Sequence, residues 1–129
     1  LKRANITPKD KINFIEYEPL EVLKQRLKLQ RAPKIIVVDN LTIYNDEIKG
    51  KGIAELKQEF PNVLFIYVAH EERNAPYTAA AKMASKLCKV KIRVEGLALF
   101  CSGRIPGGVL MIDEKKAMLY HGTDINYNK

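Results

Sequence analysis

The spacing of hydrophobic and polar positions along the chain predicts three helices in its first two thirds. Apolar residues at helical spacing predict a helix from Leu20 to about Gln30, with Pro19 in its first turn. A second helix is predicted over Ile53–Phe60, where the following Pro61 stops it. The alanine-rich segment Tyr77–Leu87 consists of good helix formers and predicts the third.

Strands are predicted between these helices. Lys11–Tyr17 is short, apolar and partly β-branched, which favours a strand. Lys34–Asp39 and Val63–Ala69 contain uninterrupted apolar runs, and such runs are typical of parallel strands that are covered on both faces. The order strand, helix, strand, helix, strand, helix therefore predicts an α/β fold, mainly a parallel sheet with flanking helices.

The C-terminal part of the chain has a different pattern. Lys89–Glu95 alternates basic and apolar residues, as a half-exposed strand does. Leu97–Cys101, Val109–Ile112 and Ala117–Tyr120 follow as short predicted strands, with a hairpin turn at Asp113–Lys116. We therefore expect antiparallel strands that extend the C-terminal edge of the parallel sheet.

Composition narrows the class of protein. The chain has 129 residues, 47% of them hydrophobic, and this length and hydrophobic content suit one domain over residues 1–129. Its net charge is +7. The positive charge favours an anionic partner such as nucleic acid or nucleotide, or only aids solubility. No apolar run approaches the roughly 18–20 residues of a membrane span, so no membrane partner is expected. Cys88 and Cys101 form neither a disulfide scaffold nor a metal site, so a reducing, cytoplasmic location is expected.

Polar side chains follow each of the three predicted parallel strands, where ligands bind in such sheets. They are Glu16 and Glu18 on the first strand, Asp39 and Asn40 on the second, and His70 on the third. Asp39 is suited to orient the water shell of Mg²⁺ beside a nucleotide, and either glutamate to activate a water as general base. His70 is suited to sense a γ-phosphate. The alternative is that polar residues at strand ends are ordinary surface loops.

Arg104 lies in a connection rich in glycine and proline, Ser102–Gly108. An arginine in that position is placed to reach a phosphate bound by another subunit, as an arginine finger does. The alternative is a turn arginine without a partner.

Basic residues in the loops after the second and third strands predict contacts with single-stranded nucleic acid. Lys49, Lys51 and Arg73 lie near Tyr44 and Tyr77 in the sequence. Cations combined with aromatic rings suit phosphate contacts and base stacking. Ordinary solvated charge is the alternative.

The order of these segments resembles that of the RecA-like hexameric ATPases, which include the DnaB-type helicases and their RepA-like and RadA-like relatives. Phe14–Pro19 followed by Arg26 resembles their strand with a catalytic glutamate, and Lys34–Asn40 resembles their Walker B strand. Val63–His70 resembles the strand that ends in a polar sensor. Arg104, in the pattern R-x-P-G-G, is similar to their arginine-finger segment.

The resemblance implies a truncated RecA-like domain that uses ATP and Mg²⁺, binds single-stranded DNA and assembles into a ring or filament. It assigns catalysis to Glu18 or Glu16, Asp39, His70 and Arg104, and cofactor binding to Asp39 and Asn40. Of the two glutamates, Glu18 fits the spacing to the arginine slightly better. The loop G-x-x-x-x-G-K-[ST] that cradles phosphates is absent. We therefore expect the C-terminal portion of an ATPase, such as a helicase or recombination factor of a phage or mobile element, inactive by itself.

Two other functions remain open. One is a degenerate, non-hydrolysing relative that binds nucleic acid through Lys49, Lys51, Arg73 and the basic strand Lys89–Arg93. The other is a phosphoacceptor receiver domain, which the order of elements disfavours because Asp39 ends only the second predicted strand.

Overall fold

The computed structural model describes residues 4–48, 51–73 and 75–122. The described elements fall into a group before residue 88 and a group after it, each with its own apolar cluster. In chain order the elements are α1 (Leu20–Leu27), β1 (Ile35–Asp39), a 3₁₀ helix (Leu41–Tyr44), α2 (Gly52–Glu59), β2 (Leu64–Val68), β3 (Glu71–Glu72), β4 (Ala75–Pro76), α3 (Ala79–Leu87), β5 (Val90–Glu95), β6 (Ala98–Gly103), β7 (Gly108–Met111) and α4 (Glu114–His121).

β1 and β2 form a parallel pair connected through α2. Their register runs from Ile35 opposite Leu64 to Asp39 opposite Val68, so the carboxyl ends of both strands lie at the same edge. Only one face of the pair packs on the core. The inward residues are Ile36, Val38, Phe65 and Tyr67, while Ile35, Val37, Leu64, Ile66 and Val68 are exposed.

The first apolar cluster joins the inner face of this pair to three helices. Each helix contributes the apolar stripe that its sequence spacing predicts. The buried helical residues are Leu20, Leu23 and Leu27 of α1, Ile53 and Leu56 of α2, and Ala80, Ala81 and Ala84 of α3.

The second apolar cluster lies between a three-stranded antiparallel sheet, β5–β6–β7, and α4. Ala98 of β6 and Ala117 of α4 are completely buried at its centre. β5 and β6 are joined by the tight turn Gly96–Leu97, where both residues have positive φ. Asp113 begins α4, because its side chain accepts a hydrogen bond from the backbone N–H of Lys116 (3.1 Å).

The predicted positions of α1, α2, α3, β1, β2 and the strands β5–β7 are confirmed to within a few residues, but the predicted fold class is wrong. No extended RecA-like parallel sheet occurs in the described ranges: β1 and β2 are the parallel strands there, and the other sheets are antiparallel. The C-terminal strands form a sheet of their own and do not extend the edge of the parallel pair.

Two predicted strands are not strands. Lys11–Tyr17 is irregular and its apolar side chains are exposed, because its backbone pairs with neither β1 nor β2. Ala117–Tyr120 is helical, since the cap at Asp113 starts a helix where the sequence favoured a hairpin turn. The prediction that both faces of β1 and β2 are covered is also wrong, because covered and exposed side chains alternate along each strand.

Candidate functional site

The parallel pairing of β1 and β2 brings Asp39 and His70 to one edge of the molecule. Asp39 is the last residue of β1 and pairs with Val68, and His70 follows two residues later. Both side chains are exposed, and within the described ranges neither forms an ion pair or a side-chain hydrogen bond. The Asp39 carboxylate is therefore available to a ligand from solvent.

The backbone after Asp39 is held by a local cap. The Asn40 side chain accepts a hydrogen bond from the N–H of Thr42 (2.9 Å) and begins the 3₁₀ helix Leu41–Tyr44. Leu41, at the start of that helix, is completely buried. The Asp39–Asn40 peptide bond is cis. Asn40 therefore has a structural role, in addition to its predicted role beside a cofactor.

Glu18 is a buried charged residue, with 6% of its surface exposed, and it is paired with Arg26. Arg26 Nε donates to Oε1 and Nη2 donates to Oε2 of Glu18, both at 3.1 Å. These hydrogen bonds, followed by the charge of Glu18, raise the pKa of Arg26. Such a two-point pair holds the carboxylate in one orientation. Glu16 is exposed, so of the two candidate acids it is the accessible one.

Three further hydrogen bonds attach the start of α1 and the segment before it to the turn after β1. The Tyr44 hydroxyl donates to the backbone carbonyl of Glu18 (2.6 Å). The Glu47 carboxylate accepts from the Tyr17 hydroxyl (2.8 Å) and from the backbone N–H of Leu20 (2.6 Å). Glu18 is thereby fixed beside the 3₁₀ helix that follows Asp39 and Asn40.

Both tyrosine hydroxyls in this arrangement are protonated donors at neutral pH. Burial is the main cause of the raised pKa of Tyr44, to which Glu47 and Glu18 add. The hydrogen bond to Glu47 is the main cause of the raised pKa of Tyr17. The hydrogen bonds that position Glu18 therefore persist across the physiological pH range.

The sequence did not identify Glu47 as a functional residue, although it did indicate that the start of α1 needs a hydrogen-bond acceptor. Pro19 occupies the N-cap of α1, and its side chain makes no capping hydrogen bond. The free N–H groups of the first turn then need an acceptor from elsewhere in the chain. Glu47, 27 residues away in sequence, supplies that acceptor, and nothing in the local pattern specifies which acidic residue does so.

The predicted nucleic-acid contacts are only partly described. Lys49 lies outside the described residues. Lys51 is exposed at the start of α2, Arg73 is exposed between β3 and β4, and Tyr77 is half exposed before α3. The 3₁₀ helix, which follows β1, and β4, which follows β2, both contact α3. The segments that leave the carboxyl ends of the two parallel strands therefore pack on the same helix.

Arg104 is not brought to Asp39 by any described contact. It is exposed directly after β6, and its backbone N–H donates to the carbonyl of Lys89 (2.7 Å). The predicted finger role requires a second subunit and stays a prediction.

Neither a metal cluster nor a membrane-spanning helix is found in the part of the chain that the structure describes. No group of three or more histidine, cysteine, aspartate or glutamate side chains there is arranged to hold a metal ion. No helix there has the length and apolar character needed to cross a membrane.

Comparison with known proteins finds no matching family model, curated protein or solved structure.

Proposed function

We propose that this chain supplies the metal-orienting and phosphate-sensing side of a Mg²⁺–ATP site in an ATPase that works on DNA. The observation that carries the proposal is the shared edge at which β1 and β2 end. There the exposed Asp39 carboxylate, which has no ion-pair partner among the described residues, ends β1, and the exposed His70 follows the neighbouring parallel strand β2. Ligands of α/β proteins bind beyond such strand ends.

The donor set fits Mg²⁺ when a nucleotide supplies the remaining ligands. Mg²⁺ typically keeps several waters and takes one or two carboxylates together with substrate phosphates. A single carboxylate at Asp39 is therefore sufficient on the protein side, and three clustered ligands are not required. Asp39 would hold the water shell of the metal ion, and His70 would donate a hydrogen bond to a phosphate oxygen. The chemistry that Mg²⁺ supplies when bound is neutralisation of charge on the nucleotide phosphates.

The surroundings of Asp39 support a preorganised edge. The Asn40 cap and the buried Leu41 hold the backbone directly after Asp39. Tyr44 and Glu47 attach the Glu18 segment to the same turn. The two segments whose resemblance to the RecA-like ATPases lies on strands of the structure, Lys34–Asn40 and Val63–His70, support the same function. We propose ATP and Mg²⁺ as cofactors and self-association as the way to complete the site.

A second candidate is favoured by the state of Glu18. The resemblance gives this residue, or Glu16, the task of activating water, but Glu18 is buried and bonded at both oxygens to Arg26. A carboxylate held in this way supports a non-hydrolysing module that binds nucleic acid. The accessible Glu16 is the residue on which hydrolysis then depends.

Calorimetric titration of the protein with ATP, with and without Mg²⁺, tests the first proposal. We expect Mg²⁺-dependent binding that Asp39→Asn weakens by about 10-fold or more, the usual effect of losing a group that orients a metal's ligands. Asp46→Asn is the matched control, because Asp46 is an exposed carboxylate in the turn after the 3₁₀ helix. Equal weakening by both variants, or no binding at all, would contradict the proposal.

A further inference from the structure

A group of basic side chains lies where β5 begins and β6 ends. β5 and β6 pair with Lys91 opposite Ser102 and Val90 opposite Gly103. The backbone N–H of Arg104 donates to the carbonyl of Lys89 (2.7 Å), which places these two residues side by side on neighbouring strands. Neighbouring strands lie about 5 Å apart, so the two basic side chains leave the sheet close together.

The end of α3 adds one more cation to this region. Lys86 lies in the last turn of α3, three residues before Lys89. We call Lys86, Lys89, Lys91 and Arg104 the basic surface.

The basic surface carries uncompensated charge. All four side chains are exposed, and none forms an ion pair within the described ranges. By contrast, Lys24, Arg26, Arg93 and Lys116 each have an acidic partner. Like charges on neighbouring strands repel one another, and an anion bound across them relieves that repulsion.

Ordinary local causes explain only part of the basic surface. Lys86 at the C-terminal end of α3 is favoured by the helix dipole. That cause does not extend to Lys91, which lies on β5, or to Lys89 and Arg104, which lie directly before β5 and directly after β6. Among the residues that the structure describes, these three cations have no acidic partner.

We propose that the basic surface binds the phosphate backbone of a nucleic acid, without reading its sequence. A phosphate backbone presents a row of closely spaced charges, which matches cations that come from the paired ends of two strands and from the end of α3. Lysine ammonium groups act as point charges toward phosphate, and the Arg104 guanidinium can bind two phosphate oxygens at once. The net charge of +7 adds long-range attraction to a polyanion. This surface does not depend on the nucleotide site, and its test uses neither ATP nor Mg²⁺.

The test is the salt dependence of binding to fluorescein-labelled oligothymidine, followed by fluorescence anisotropy. For single strands, log K falls against log salt with a slope of about −0.7 for each phosphate contact. The variant Lys86→Gln/Lys89→Gln/Lys91→Gln/Arg104→Gln should therefore reduce the slope by up to about 3. A control variant removes the same charge from exposed lysines elsewhere that have no ion pair with any described residue: Lys9→Gln/Lys11→Gln/Lys28→Gln/Lys34→Gln.

The control variant should keep most of the slope. Equal loss in the two variants would overturn the inference, because net charge alone would then explain binding. A third variant, Lys51→Gln/Arg73→Gln, tests the loops beside Asp39, and a slope lost only there would also overturn it. Polyglutamate that competes with the oligonucleotide equally, charge for charge, would assign the surface to acidic polypeptides instead.

Two additional variants keep the test decisive if the fourfold variant does not fold. The charge-retaining change Lys86→Arg/Lys89→Arg/Lys91→Arg should bind as the wild type does. The single change Lys89→Gln should lower the slope by about 0.7. The oligonucleotide assay contains neither ATP nor Mg²⁺, so that failure of the nucleotide proposal and failure of this one give different results.

Discussion

The carboxylate of Glu18 and the guanidinium of Arg26 form a two-point ion pair with both N···O distances at 3.1 Å. Glu18 is buried, whereas the Arg26 side chain is 46% exposed. The pair therefore joins the segment before α1 to the solvent-facing side of that helix. Glu18, which the sequence predicts to be catalytic, is therefore already paired with the opposite charge of Arg26 in the folded chain.

Removing one partner of this pair should destabilise the protein, because a buried carboxylate is then left without its counter-charge. We expect Arg26→Ala to lower the melting temperature by several degrees, measured by circular dichroism. Arg31→Ala removes an exposed arginine that forms no ion pair in the described part of the chain, and it should have little effect. The double variant Glu18→Leu/Arg26→Leu should be more stable than Arg26→Ala. A single variant as stable as wild type would show that the pair contributes nothing.

The hydrogen bond from Tyr44 to the Glu18 carbonyl should contribute measurably to stability. Tyr44→Phe keeps the buried ring and removes only the donor, leaving a buried carbonyl unpaired. We expect a loss of about 1–2 kcal/mol in the free energy of unfolding, measured with urea. Tyr77→Phe is the control, since Tyr77 is 50% exposed and should change stability by less than about 0.5 kcal/mol. Indistinguishable losses would contradict this role.

Gly103 is required by its backbone conformation. It has φ of +109°, and a Cβ atom at this position would overlap the backbone carbonyl of Lys89. Gly103→Ala should therefore destabilise the protein by about 1–3 kcal/mol in urea unfolding. Gly108→Ala is the matched control, because a Cβ there meets no atom within 4 Å. If both alanines were tolerated, the end of β6 would not have the described conformation.

Alkaline pH should unfold the protein through Tyr67. Burial, with a smaller contribution from Cys88, raises the pKa of Tyr67 well above its usual 10.0. The unfolded tyrosine therefore loses its proton first, so this contribution to stability is intact below pH 10 and declines as the pH rises beyond it. The decline is about 1.4 kcal/mol per pH unit for one such group.

Urea unfolding at pH 9 and pH 11 measures this effect, with Tyr67→Phe for comparison. The phenylalanine variant keeps the ring that stacks on Phe65 and removes the ionisable group. Its stability should fall less between the two pH values than that of wild type. Lysine titration affects both proteins alike, so parallel losses would contradict the assignment to Tyr67.

The local pattern of the sequence was sufficient for most helices and strands. α1, α2 and α3 follow the apolar spacing, and β5 follows its alternation of basic and apolar residues. It was insufficient for Ala117–Tyr120, where one capping hydrogen bond at Asp113 decides for helix. It was also misleading for Lys11–Tyr17, since a strand forms only where another strand offers its edge.

In the candidate site, too, the local sequence predicts some features and not others. The positions of Asp39 and His70 follow from two well-predicted strands that pair in parallel. The partners of Glu18 could not be predicted, because Tyr44 and Glu47 reach it or its neighbours from more than 25 residues away in sequence. Pairings of that kind depend on how helices and turns pack together, which no short sequence window contains.

The central claim, that Asp39 and His70 border a metal–nucleotide site, is tested most directly by NMR with Mn²⁺–ATP. Mn²⁺ replaces Mg²⁺ at carboxylate and phosphate ligands, and its unpaired electrons broaden the signals of nearby nuclei. The account predicts selective broadening of the Asp39, Asn40 and His70 backbone amides, which Asp39→Asn abolishes and Asp46→Asn does not. Broadening elsewhere on the surface, or at this edge in Asp39→Asn as well, would contradict it.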